Sequence, residues 1–155
     1  MSKTKQKEEP FHKKIGILTC SIITQDLGCA SPFCLKDFRN RGGKFSNYDD
    51  DVELVGIINC AGCPGILGAE KLAHRIRALA ELKVDVIHFS SCMADFCPSK
   101  EKYRKMINEK YPDISVVFGT HDPPGGVTPE MFIRAVKEMI RQPKHGLIDL
   151  FKPFV

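Results

Sequence analysis

The sequence predicts an α/β fold: a doubly wound, mainly parallel sheet of about four strands flanked by helices. Two observations carry this. Four short runs rich in Val and Ile (15–20, 52–59, 84–90 and 114–119) are nearly continuous in apolar character, as strands buried on both faces are. Between and after them lie stretches with helical periodicity, and strand alternating with helix implies right-handed crossovers. No internal repeat interrupts the pattern.

Each element has its own signal. In the first long helix, expected to start near Pro64, Ile66, Leu67, Leu72, Ile76, Leu79 and Leu82 fall on one side. Tyr103, Met106 and Ile107 mark a second helix, which Pro112 should close. A third is expected from Thr128 as N-cap and Pro129 at the first helical position. Its stripe of Phe132, Ala135, Val136, Met139 and Ile140 reads as core, and Pro143 ends it. Residues 21–51 form a long connection, with a short helix expected over 34–41 and then a loop. The run Asp49-Asp50-Asp51 lacks the alternating spacing of a calcium loop and reads as a solvated turn.

The chain has 155 residues, 43% apolar and 27% charged, which suits one globular domain. Its expected organisation is a flexible polar tail over 1–13, an α/β domain over 14–142, and a C-terminal extension over 143–155 that packs on it. The first fourteen residues carry five Lys and two Glu, so three of the four net positive charges lie there and the body is nearly neutral. A basic nucleic-acid-binding face is therefore not indicated. Without a signal peptide or an apolar run long enough to span a bilayer, no membrane partner is expected and the expected location is cytoplasmic. In that compartment seven cysteines, an odd number, argue against a disulfide framework and for metal, redox chemistry or burial.

The cysteines fall at informative places. Cys20 ends the first apolar run, Cys60 follows the second, Cys92 the third, and His121 the fourth. In a parallel sheet these ends share the edge at which open α/β folds bind ligands. A strand order of 2-1-3-4 would put Cys20 between Cys60 and Cys92. Neighbouring strands lie about 4.8 Å apart, and sulfurs bound to one zinc lie somewhat under 4 Å apart, so adjacent strand ends can share an ion. Cys60-Ala61-Gly62-Cys63 is a C-x-x-C turn leading into a helix, and Cys97-Pro98 is expected to open the next helix. Helix N-termini favour the thiolate, the form a metal needs. Cys29 and Cys34 lie in the long connection, where ligand, lid thiol or plain burial are all open. His88 reads as a hydrogen-bonded core or supporting residue and His74 as exposed. His12 and His145 lie in terminal segments.

The ordered set KIGILTC, GKFSNY, ELVGIINCAGCPG, DVIHFSSC, CP and VVFGTH resembles the CGGC domain of bacteria and archaea, over roughly residues 14–122. The resemblance implies a metal-binding domain, zinc being the expected ion, with no reaction specified. Carried over by motif, the implied site residues are Cys20, Cys60, Cys63, Cys92, Cys97 and His121, with Cys34 matching less closely. Ala61 stands where the family motif has its first Gly. A turn that needs positive φ there would be disfavoured.

Three other functions compete. Strand, C-x-x-C, helix also suits a thiol-disulfide oxidoreductase, with Cys60 the nucleophile and Cys63 its partner. The further cysteines and the lack of a hairpin signal count against it. An iron–sulfur cluster would use the same soft donors, although the spacings match neither common ferredoxin pattern. A flavodoxin-like nucleotide site lacks a phosphate-cradling glycine loop, and Gly125-Gly126 reads as a turn. If the centre were a hydrolytic zinc, Asp95 or Asp122 could serve as base, but capping or turn roles are the plainer reading of both.

Overall fold

The computed structural model describes residues 13–26, 28–63 and 68–122, together with residues 128, 130, 131 and 134. The chain divides into two compact units, Met1–His121 and Asp122–Val155. In the second, the backbone N–H of Met131 donates to Thr128 Oγ1 at 3.2 Å, which is the N-cap expected of Thr128. The apolar stripe of that helix, the C-terminal extension, Gly125-Gly126, most of the N-terminal tail and the start at Pro64 lie outside the described residues.

In the first unit the elements run β1 (Lys14–Thr19), α1 (Pro32–Asn40), β2 (Glu53–Asn59), α2 (Gly68–Glu81), β3 (Val86–Phe89), α3 (Ser91–Phe96), α4 (Lys100–Lys110) and β4 (Ser115–Phe118). The four strands form one all-parallel sheet in the order β2-β1-β3-β4, a common doubly wound arrangement. Central β1 and β3 are almost wholly buried, whereas edge strand β2 is half exposed, which is why its pattern is the less uniform.

Helices cover both faces, and the strand side chains divide between them by parity. Leu18, Ile87 and Phe89 pack with Leu72, Ile76 and Leu79 of α2 and Tyr103 and Ile107 of α4. Ile15, Ile17 and Val86 pack with Cys34 and Phe38 of α1 and with Phe45, which closes a short 3₁₀ turn after it. Gly16 lets α2 approach β1 closely, since a Cβ there would stand 2.6 Å from Leu79 Cδ1.

Two elements differ from expectation. A single π-helical turn, Ile22–Asp26, follows β1 directly. The third strand ends at Phe89, and the chain turns at once into α3, so Cys92 sits in a helical first turn rather than on a strand. Cys97 closes α3, its N–H bonded to Met93 O, instead of opening the next helix, whose N-cap is Ser99. Pro98 is the reason for the break, because it has no N–H to continue α3. The acidic run is an exposed turn, its Asp49 and Asp50 carbonyls accepting from the Arg41 guanidinium.

Candidate metal centre

The parallel ladder of β1 and β2 pairs Thr19 with Asn59, and the N–H of Cys60 continues it by donating to Thr19 O at 2.8 Å. One position further on, Cys20 and Cys60 therefore follow paired ends of adjacent strands. Both share the parity of Leu18 and Ile58 and pack on the α2–α4 face. The two thiols perturb each other in opposite directions: interaction with Cys60, then burial, pushes the Cys20 thiol far up. Interaction with Cys20 is the main reason Cys60 is lowered to about 5, reinforced by the N–H groups of Ser21, at 3.3 Å, and Gly62. Burial works against that charge, and the donors win.

The C-x-x-C turn is anchored around this pair. Arg75 of α2 donates to the carbonyls of Asn59 and Cys60, and Ser21 Oγ donates to Cys60 O. Gly62 has φ 88°, whereas positive φ among the described non-glycine residues is confined to Ser31, Arg41 and Lys83. Ala61 thus fits where the family has glycine, because the turn takes its left-handed residue one place later. Cys63 is exposed and Cys97 half-buried. Cys97 lies near enough to Cys60 and Cys63, and both Cys63 and Cys97 near enough to the Tyr103 phenol, to act electrostatically, and Cys97 packs against the same apolar cluster. The Cys97 thiol is pushed up, chiefly by burial.

The other thiols form a second group. Cys34 is buried on the α1 face, 3.2 Å from Thr120 Oγ1, and burial pushes its thiol up to about 11. Cys92 lies 3.0 Å from Ser90 Oγ, accepts from the Cys20 backbone and is likewise raised by burial. Cys29 is close enough to act electrostatically on both. His121 stands beside the start of α1, its ring 5.7 Å from that of Phe33 and its backbone N–H and C=O both bonded to Ser91 Oγ. Asp95 lies within α3, and Asp122 opens the second unit.

His88 is the feature whose partners the sequence did not reveal. It is wholly buried on β3, with Nδ1 donating to Gly119 O at 2.9 Å and Nε2 accepting from Tyr48 O–H at 2.8 Å. The carbonyl can only accept, so the ring carries its proton on Nδ1. Burial lowers its pKa and keeps it neutral. The Phe45 ring packs against it at 4.6 Å. His88 thus fastens the loop after α1 to the sheet and to the residue after β4.

As the side chains stand, no three His, Cys, Asp or Glu among the described residues are arranged to hold a metal ion. The donor chemistry nonetheless fits a soft cation. Two sulfurs follow adjacent strands on one face, and rotation about Cα–Cβ moves a sulfur by about 3 Å between staggered positions. The Cys60 charge is testable by pH titration of thiolate absorbance in the reduced, metal-free protein. One thiolate should form with a midpoint at about 5. It is protonated below that pH and charged above it. Cys60→Ser should abolish the step, and Cys20→Ser should move it toward the ordinary thiol range. Below 9.0 the fold carries a thiolate that the unfolded chain lacks, and that contribution is lost as pH falls through 5, whereas above 9.0 the proton that Cys20 keeps works against folding.

An all-parallel α/β sheet with thiols following its strands defines a class of cysteine-rich open-sheet domains. The chain belongs to the CGGC domain family, which matches residues 14–121. It is similar to Uncharacterized protein MJ0582 of Methanocaldococcus jannaschii, 31% identical over 118 residues that span 70% of this chain and 86% of that protein. Uncharacterized protein MJ0766 of the same organism is 34% identical over 55 residues, 36% of this chain and 79% of that one. No solved structure matches the chain. Among the described residues, no helix is long and apolar enough to cross a membrane.

Proposed function

We propose that this domain binds one soft metal ion, with zinc the expected ion, through Cys20, Cys60, Cys63 and Cys97. The observation that carries the reading is the Cys20–Cys60 pair, two thiols that follow adjacent paired strands and pack on one face, the Cys60 sulfur accepting from the Ser21 N–H at 3.3 Å. An ion would take the place of the Cys20 proton. A thiolate already formed at Cys60 lowers the cost of deprotonation that metal binding otherwise carries. Cys63 and Cys97 supply further sulfur on the same face, which suits a soft or borderline cation rather than a hard one.

Cys34 and His121 are not ligands in this reading. Cys34 packs on the opposite face, and its thiol is held in the neutral form. His121 follows β4, three strand spacings of about 4.8 Å from the strand that Cys60 follows, farther than two side chains can bridge through one ion. Cys92 is tied to Ser90 and to the Cys20 backbone and serves as support.

A four-sulfur zinc site would be structural or a carrier site, and the same donors could hold an iron–sulfur cluster. Elemental analysis with an absorption spectrum on anaerobically purified protein separates these. About one zinc per chain in a colourless solution is the expected result. Iron with visible absorption would replace zinc by a cluster, and reduced protein that takes up neither would end the metal reading.

A further inference from the structure

We propose that Cys20 and Cys60, rather than the C-x-x-C pair Cys60 and Cys63, form a reversible disulfide, and that closing it withdraws two sulfurs from the metal. The effect on the metal rests on the reading above; the disulfide itself does not.

The backbone argument comes first. Cys20 and Cys60 continue the register Thr19↔Asn59 of a parallel ladder whose next hydrogen bond, Cys60 N–H to Thr19 O, is formed at 2.8 Å. Neighbouring strands lie about 4.8 Å apart. Disulfides span Cα separations of about 4.4–6.8 Å, so the bond can form without moving the sheet. Both side chains pack on the α2–α4 face, and the N–H of Ser21, the residue after Cys20, donates to the Cys60 sulfur at 3.3 Å. Cys63, by contrast, is exposed while Cys60 is 4% exposed, so the two thiols of the motif sit in different surroundings.

Exposure also sets the order of events. Half-buried Cys20 is the thiol that an external reagent can reach, and buried Cys60 is the one that resolves. With a small-molecule disulfide as oxidant, Cys20 gives up its proton to the solvent and its sulfur attacks the reagent, whose S–S bond breaks and releases one small thiolate. The Cys60 thiolate then attacks the Cys20 sulfur of the mixed disulfide, and the second small thiolate leaves. Two protein sulfurs lose two electrons, the reagent gains them, and an excess of thiol reverses the sequence.

The test uses the full chain, reduced and metal-free, and its Cys63→Ser variant. Both are equilibrated with excess oxidised glutathione, alkylated and mapped by peptide mass spectrometry. A Cys20–Cys60 crosslink in both proteins is expected, with Cys63 of the parent chain left outside it. A Cys60–Cys63 crosslink that Cys63→Ser abolishes would overturn the proposal, as would Cys20 and Cys60 both remaining unlinked to each other. Zinc is then titrated into the reduced and oxidised protein. Zinc binding should weaken by roughly 100-fold or more on oxidation and return on reduction. Equal binding by the two forms would overturn the control of the metal. Reduced protein that binds no zinc while forming the crosslink would end the metal reading and leave the pair standing.

Discussion

Replacing Cys60 by Ser should lower zinc affinity by roughly 100-fold or more while leaving the domain folded. Serine is nearly the same size, and the backbone of residue 60 stays bonded to Thr19, Ser21 and Arg75. What is lost is the one thiolate formed ahead of the metal. Cys34→Ser is the matched control. It alters a buried thiol on the opposite face of the sheet, bonded to Thr120, and should leave zinc binding unchanged. Competition with a chromophoric chelator, with circular dichroism on each variant, separates loss of metal from loss of fold. Equal loss of zinc from both variants would mean that the two thiol groups act as one site.

The second large effect concerns stability. His88→Ala should destabilise the domain by about 3 kcal/mol or more, measured by urea denaturation. The change opens a cavity against Phe45 and removes the partners of both the Tyr48 hydroxyl and the Gly119 carbonyl. Tyr48→Phe should cost less, about 1–3 kcal/mol, because it leaves only the His88 Nε2 lone pair unpaired. A double-mutant cycle should show the two changes to be strongly non-additive, since each removes the same hydrogen bond. Additive costs would mean that the Tyr48–His88 bond contributes nothing. The effect should extend to the second thiol group, because His88 holds Gly119, the residue before Thr120, on which Cys34 rests.

Much of this architecture is legible in the sequence, for identifiable reasons. The central strands are buried on both faces, so they appear as unbroken runs such as Ile15-Gly16-Ile17-Leu18, and the order of the four strands is a common doubly wound pattern. Helices α2 and α4 bury one stripe each and show it. Helix α3 is hidden because six residues, Ser91–Phe96, are too few to display a period. The partnership of Tyr48 with His88 joins residues forty positions apart, beyond any local signal.

The division of the cysteines was partly readable. Parity puts Cys20 with Leu18 and Cys60 with Ile58, so their common face could be deduced once those strands are paired. Cys34 offers no such rule. Its side of the sheet depends on which face the crossover carrying α1 covers, a matter of tertiary packing. Position at a strand end alone therefore does not separate Cys34, on the α1 face, from Cys20 and Cys60 on the other.

The central claim is that thiolates on the α2–α4 face hold the ion. X-ray absorption at the metal edge of the zinc-loaded, reduced protein tests it most directly. The account predicts a first shell of sulfur at about 2.3 Å, unchanged in Cys34→Ser and reduced by one sulfur in Cys60→Ser. A first shell of only nitrogen and oxygen at about 2.0–2.2 Å would contradict it.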